Sequence, residues 1–175
     1  MPDTIYAPDM IISEASALIS TALNNIMLPG QDGFTYGMTG TKPTKEMTIF
    51  AQIFDPQASK VDAPALFMQV IHGASGRLMG IGQDDICTLQ IIVNTYCHTA
   101  TDSVWLSRVC HLIQRGLSNW KRVKDAIAAL NQQEALITWQ QQDIKPYPHM
   151  LGVINVICRM PSPADVIAAN TPPPT

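Results

Sequence analysis

The sharpest change of hydrophobic period along the chain falls between residues 86 and 117. In 87–96, Cys87, Leu89, Ile91, Val93 and Thr95 alternate with Thr88, Gln90, Ile92, Asn94 and Tyr96, a period of two that gives a strand one apolar face. A polar turn, His98-Thr99-Ala100, follows, and Thr101 or Asp102 is placed to cap the free N–H groups of a helix. On that helix Leu106, Val109, Cys110, Ile113 and Leu117 recur at helical spacing and share one side. Gly116 lies near its end, where a left-handed residue often stops a helix. The helix must fold back over the strand if both apolar faces are to leave water.

Similar patterning assigns the remaining elements. Residues 1–9 predict an extended arm fixed by Pro2 and Pro8. Asp9 or Ser13 opens a helix running to about Met27, with Ile12, Ala15, Ile19, Ala22 and Ile26 on one face and Leu18 and Leu23 widening the stripe. Pro29-Gly30 ends it. Residues 31–46 are rich in Gly, Thr and Lys and predict a long loop, of the kind that carries function or moves. Nearly continuous apolar residues at 47–54 predict a strand covered on both faces, 55–64 a connection, and 65–72 another strand. Gly73, Gly76, Gly80 and Gly82 mark the bent tip of a hairpin joining 65–72 to 86–97. Trp120, Val123, Ile127 and Leu130 predict a second short helix, and 135–142 and 152–160 two late strands, the last apolar on both faces at its centre. From Pro161 the chain turns to Ala, Thr and Pro, which predicts an arm or a disordered tail outside the sheet.

There is no internal repeat. The element order predicts an α+β fold: an antiparallel or mixed sheet of about four to five strands, helices packed on one face, and a long hairpin. A chain of 175 residues suits a single domain, 1–160 with its N-terminal arm, followed by a proline-rich C-terminal arm at 161–175.

Composition changes this picture in one respect. Only 14% of residues are charged, against about a quarter in an ordinary soluble domain, while 46% are hydrophobic. A surface so poor in charge favours burial against partner protein, and a subunit of an assembly is preferred to a monomer coated in Gln, Asn, Ser and Thr. The net charge of −3 argues against a protein that grips nucleic acid. The one dense basic run, Lys121-Arg122 with Lys124, reads as the solvated side of a helix. No segment approaches the roughly 20 apolar residues of a membrane span, and the N-terminus shows no secretory signal. Four cysteines, three of them within apolar elements, read as reduced, buried thiols of a protein made in the cytosol.

The Cys, His, Gly and acidic residues are where chemistry would lie. Cys97-His98 and Cys110-His111 are adjacent pairs, but neighbours on a helix point about 100° apart and do not chelate together, and neither Cys-x-x-Cys nor His-x-x-x-His occurs. Cys87, Cys97, Cys110 and Cys158 have apolar neighbours, which disfavour a nucleophilic thiolate, and His72 and His149 read as surface or packed histidines. Residues 37–42, GMTGTK, lack the spacing of a phosphate loop and run into Pro43; 73–82 does not match a dinucleotide fingerprint. Asp84-Asp85 reads as a solvated turn, and Trp105, Trp120 and Trp139 as packing residues. The expectation is no catalysis, no cofactor and no metal. A small cytosolic enzyme or ligand-binding domain with a Cys/His pocket is the alternative.

The order of elements, with its TLQIIVNTY strand and DSVWLSRVCHLIQRGL helix after a long hairpin, resembles the tail terminator and neck proteins of tailed bacteriophages. The N-terminal helix and the late strand at 152–160 fit the same plan. The resemblance covers most of the chain as a pattern and carries no diagnostic motif; the 31–46 loop and the proline-rich tail depart from it. It implies a structural virion protein, assembled in the host cytoplasm, that forms a ring, usually of six subunits, at the head–tail junction. Such a ring ends the tail tube and leaves an opening through which DNA passes without specific binding. Its implied neighbours are further copies of itself, the tail tube protein and a neck or head-completion protein, with a sheath as a further candidate and no membrane. Within the same class, a head–tail connector or head-completion protein is the alternative. Candidate partner contacts are Gly76, Arg77, Leu78, Met79, Asp84 and Asp85 at the hairpin tip, Lys42 and Lys45 in the long loop, and Pro161 and Pro163 in the terminal arm.

Overall fold

A computed structural model describes residues 4–39, 44–51, 63–71, 86–99, 102, 104–131, 136–142 and 148–171. The fold is α+β. Among the described residues four helices, α1 (Ala7–Ala22), α2 (Val104–Ser118), α3 (Lys121–Leu130) and α4 (Pro163–Asn170), accompany eight strands. The strands are β1 (Leu28–Pro29), β2 (Thr35–Gly37), β3 (Lys45–Glu46), β4 (Thr48–Phe50), β5 (Ala65–Ile71), β6 (Ile86–Tyr96), β7 (Ile137–Gln142) and β8 (His149–Arg159).

The main sheet has five strands in the order β4-β5-β6-β8-β7, antiparallel except for the β4–β5 pair. The expected hairpin is there: β5 and β6 pair from Ala65 opposite Asn94 to Ile71 opposite Thr88. The alternation in β6 sets its faces as the sequence suggests, since Cys87, Leu89, Ile91 and Val93 are at most 2% exposed. Across the ladder they meet Cys158, Val156, Ile154 and Gly152 of β8. Helices α1, α2 and α3 lie on this inner face and bury Ile11, Ile19, Leu106, Ile113, Leu117 and Val123 against it. Each fully buried Ile, Leu or Val there contributes about 1.5–3 kcal/mol of transfer free energy.

Several boundaries differ from expectation. Helix α1 starts before Pro8, which fits the first turn because its missing N–H needs no partner, and the Asp9 carboxylate accepts the Tyr6 N–H at 3.0 Å. Of the extended arm expected at 1–9, Ala7, Pro8 and Asp9 are helical, and residues 1–3 lie outside the described residues. The helix ends at Ala22 rather than near Met27, where Asn24-Asn25 favour turns over helix. Its buried stripe is Ile11, Ala15, Ile19 and Leu23, one residue out of step with the predicted Ile12 at the start. Residues 31–46 are not simply a loop, because 35–37 and 45–46 join β1 in a small three-stranded sheet. Among the described residues of the strand expected at 47–54, Thr48–Phe50 form an edge strand, and none of the three is buried, so the expected cover on both faces is not found there. The hairpin tip at 73–83 and most of the 55–64 connection lie outside the described residues.

Two glycines act through close approach. Gly116 continues α2 in helical form and does not stop it; a Cβ there would lie 2.8 Å from the Ala22 Cβ, so its bareness lets α1 and α2 touch. A Cβ on Gly152 would lie 2.9 Å from Cys110 Sγ and 3.0 Å from Leu106 Cδ1, which lets α2 press onto β8.

The segment after Pro161 is a helix. The Ser162 hydroxyl accepts the Asp165 N–H at 3.2 Å and the Asp165 carboxylate accepts the Ser162 N–H at 2.9 Å, a reciprocal cap with Pro163 in the first turn. Asn170 then clasps the other end of the chain: its amide accepts the Ile5 N–H at 2.9 Å and donates to the Ile5 carbonyl at 2.8 Å. Of the arm or disordered tail expected after Pro161, residues 163–170 are an ordered helix.

Candidate interaction surfaces

Among the described residues three acid–base pairs form, Glu14 with Arg122, Asp32 with Lys45 and Asp125 with Lys121. Glu14 of α1 receives two hydrogen bonds from Arg122 of α3, at 2.7 and 2.6 Å, and one from the Trp120 indole at 3.0 Å. The Arg122 hydrogen bond, strengthened by Trp120 and opposed by burial, holds the Glu14 carboxyl below the usual range. The basic run at 121–124 is thus divided: Lys121 and Lys124 are exposed, while Arg122 is a half-buried clasp between helices.

A second clasp closes the small sheet. Asp32 accepts hydrogen bonds from the Lys45 ammonium, from the Tyr36 hydroxyl at 2.9 Å and from the Phe34 N–H at 3.1 Å. The Lys45 ammonium also sits over the Phe34 ring, 4.0 Å from its centroid. Lys45, expected to meet a partner, is occupied within its own chain, and it pulls the Asp32 carboxyl down to about 2.

The turn after β6 is built by Asp102. Its carboxylate accepts the His98 and Thr99 N–H groups, each at 2.9 Å, and the Thr99 hydroxyl at 3.2 Å. It therefore closes the turn ahead of the helix, where the sequence suggested it would cap the helix N–H groups. The His98 ring lies 3.1 Å from the Gly30 carbonyl and edge-on to Tyr96, tying the small sheet to the main one.

The cysteines lie in the core. Cys87 and Cys158 face each other across β6 and β8 with sulfurs 3.5 Å apart, and Cys97 Sγ lies 3.3 Å from Met150 Sδ. Burial pushes Cys110 up to about 12 and raises Cys97, while the Cys87 contact and then burial raise Cys158. The Cys110-His111 pair diverges, with Cys110 in the core and His111 edge-on to Trp139 at the surface. Among the described residues no three of His, Cys, Asp and Glu converge as metal ligands, and no helix is long and apolar enough to cross a membrane.

Of the other expected contact residues, Pro161 is buried where the chain leaves β8, and Pro163 is exposed in the first turn of α4. Lys42, Gly76, Arg77, Leu78, Met79, Asp84 and Asp85 lie outside the described residues.

Sequence reasoning missed two surfaces. One is α4 with the adjoining segment before α1: Ile167 is 67% exposed, Tyr6 63% and Ile5 39%. Its signal was the Ser-Pro-Ala-Asp run at 162–165, a helix start hidden in a proline-rich context. The other is the outer face of the main sheet. There Phe50, Phe67, Ile92, Val153 and Gln140 form one row across all five strands, and Gln69, Gln90, Asn155 and Thr138 the next. Gln69 donates to Gln90 at 2.9 Å and Gln90 to Asn155 at 3.2 Å, so the amides lie bonded along the sheet. The alternation of β6 signalled this face, but pairing partners cannot be read from one strand.

No protein-family model matches the chain, and no curated protein is significantly similar to it in sequence.

Proposed function

We propose that this chain is a structural virion protein of a tailed bacteriophage, a tail terminator or neck subunit that closes into a ring at the head–tail junction. The observation that carries the proposal is a neutral, partly apolar outer sheet face, with amides bonded along it, on a chain of low charge density. Such a surface suits protein contacts made without charge selection. The order of helix, long hairpin, strand and helix agrees with the plan of that family. Closing a ring requires a heterologous interface, in which two different patches of one chain meet on successive copies. The tail tube protein on one side and a neck or head-completion protein on the other would be its neighbours. Mild net acidity lets DNA pass without being held.

Electron microscopy of the purified chain tests this reading. Closed rings with a central opening, usually six-fold, are expected. Single globules at micromolar concentration would overturn it.

A further inference from the structure

Helix α4 has eight residues and no buried side chain. Helices shorter than about 12–15 residues are marginal in water, so capping alone is a weak support for this one. Its C-terminal end lies beside Ile5, because Asn170 is bonded to the Ile5 backbone, and Ile167 of the helix is exposed together with Tyr6 and Ile5. The clasp also fixes where α4 lies. Ile5 leads into α1, and Asp165 is held low first by hydrogen bonds from Ser162, with Arg122 of α3 adding its charge. Both α1 and α3 belong to the helix layer on the inner face, so α4 is held on that side and away from its own outer face.

The outer face has the complementary character. Its apolar row (Phe67, Ile92, Val153) lies beside the amide ladder, with Ile71 and Ile157 beyond. Among the described residues of this face there is no Asp, Glu or Lys, and Arg159 stands at one end. Helices α1, α2 and α3 bury their apolar stripes with the inward residues of the sheet. At the other end Ala65 and Asn94 are buried, which bounds the open part.

We infer that α4, with Ile5 and Tyr6, docks on the outer sheet face of a second copy of this chain. Helix on sheet is the ordinary way to cover such a face, and the sheet would then carry helices on both sides. An eight-residue helix is about 12 Å long and fits within the roughly 24 Å spanned by five strands. It covers only part of a standard interface of about 800 Å² per partner, so it acts as the anchor of a larger contact. The contact is heterologous, and it deepens the ring proposed above and rests on it.

The test uses full-length chains and sedimentation at micromolar concentration. Ile167→Asp spoils the helix and leaves the face; Val153→Asp, or the more exposed Gln140→Asp in the same row, spoils the face and leaves the helix. Far-UV circular dichroism verifies that each chain is folded, and the folded face variant is used. The parent is expected to sediment as a ring, each variant alone as a monomer, and their equimolar mixture as a dimer, since one intact helix meets one intact face. Variants that still form the parent ring would overturn the docking and leave the ring standing. Monomeric variants whose mixture stays monomeric would also overturn it. A parent that forms open oligomers, with variants that complement as described, would uphold the docking and remove the ring. A monomeric parent would remove both.

Discussion

At the residue scale, the Arg122–Glu14–Trp120 cluster is the most consequential polar contact, because it ties the first helix to the third. Glu14→Ala leaves a half-buried guanidinium and an indole N–H without their acceptor. A loss of about 1–2 kcal/mol is expected in urea unfolding, with Glu14→Gln costing less because its amide oxygen still accepts from Trp120. The pH dependence follows from the lowered Glu14 carboxyl. A carboxylate whose folded value lies below its unfolded one stabilises above the unfolded value and ceases to as pH falls through the folded one. The stability difference between parent and Glu14→Gln should therefore be full at neutral pH and shrink below about pH 4.5. The thiols give a second expectation. Iodoacetamide should leave Cys87, Cys97, Cys110 and Cys158 unmodified in the native protein and alkylate all four in urea, as counted by mass, because they are buried and burial keeps Cys110 protonated near neutral pH. Rapid native alkylation of Cys110 would contradict its place in the core. That the cysteines are core residues was legible from their apolar neighbours. That Arg122 is a clasp was not, because its partner lies 108 positions away and nothing local marks the pairing.

At the element scale, the strands and helices of the middle of the chain were legible because their periods are long and regular. Strand β6 and helix α2 each bury one clean face, so local pattern and tertiary packing agree. The edges were less legible. Pro8 and Pro163 suggested extended chain, yet both occupy first turns of helices, where proline is compatible. Gly116 suggested a helix stop, yet it serves a helix crossing, which depends on α1 and not on its neighbours in sequence. Gly116→Ala should accordingly destabilise the protein in a thermal melt. The gain of up to about 1 kcal/mol in helix propensity is outweighed by an overpacking cost of about 1–3 kcal/mol. Gly116→Ala with Ala22→Gly should recover part of the loss, and a stabilised single variant would contradict the close crossing. At the other end of the fold, Asn170→Ala should speed hydrogen exchange across residues 163–170 and leave the sheet amides protected, since α4 is held there by the Ile5 clasp.

At the scale of the whole molecule, low charge density pointed to a protein that meets other protein, and the folded chain gives that composition a location. The outer sheet face carries neutral and apolar groups, and the terminal segment exposes Ile167, Tyr6 and Ile5. Neither surface was legible as a whole in the sequence. A sheet face is assembled from β4, β5, β6, β8 and β7, whose order differs from the order of the chain. The terminal surface joins residues 165 positions apart. The most direct measurement is the native mass of the purified chain at micromolar concentration. Six copies of the 19.1 kDa chain, about 115 kDa, are expected as one discrete species. A single species at 19.1 kDa across the same concentrations would contradict the ring.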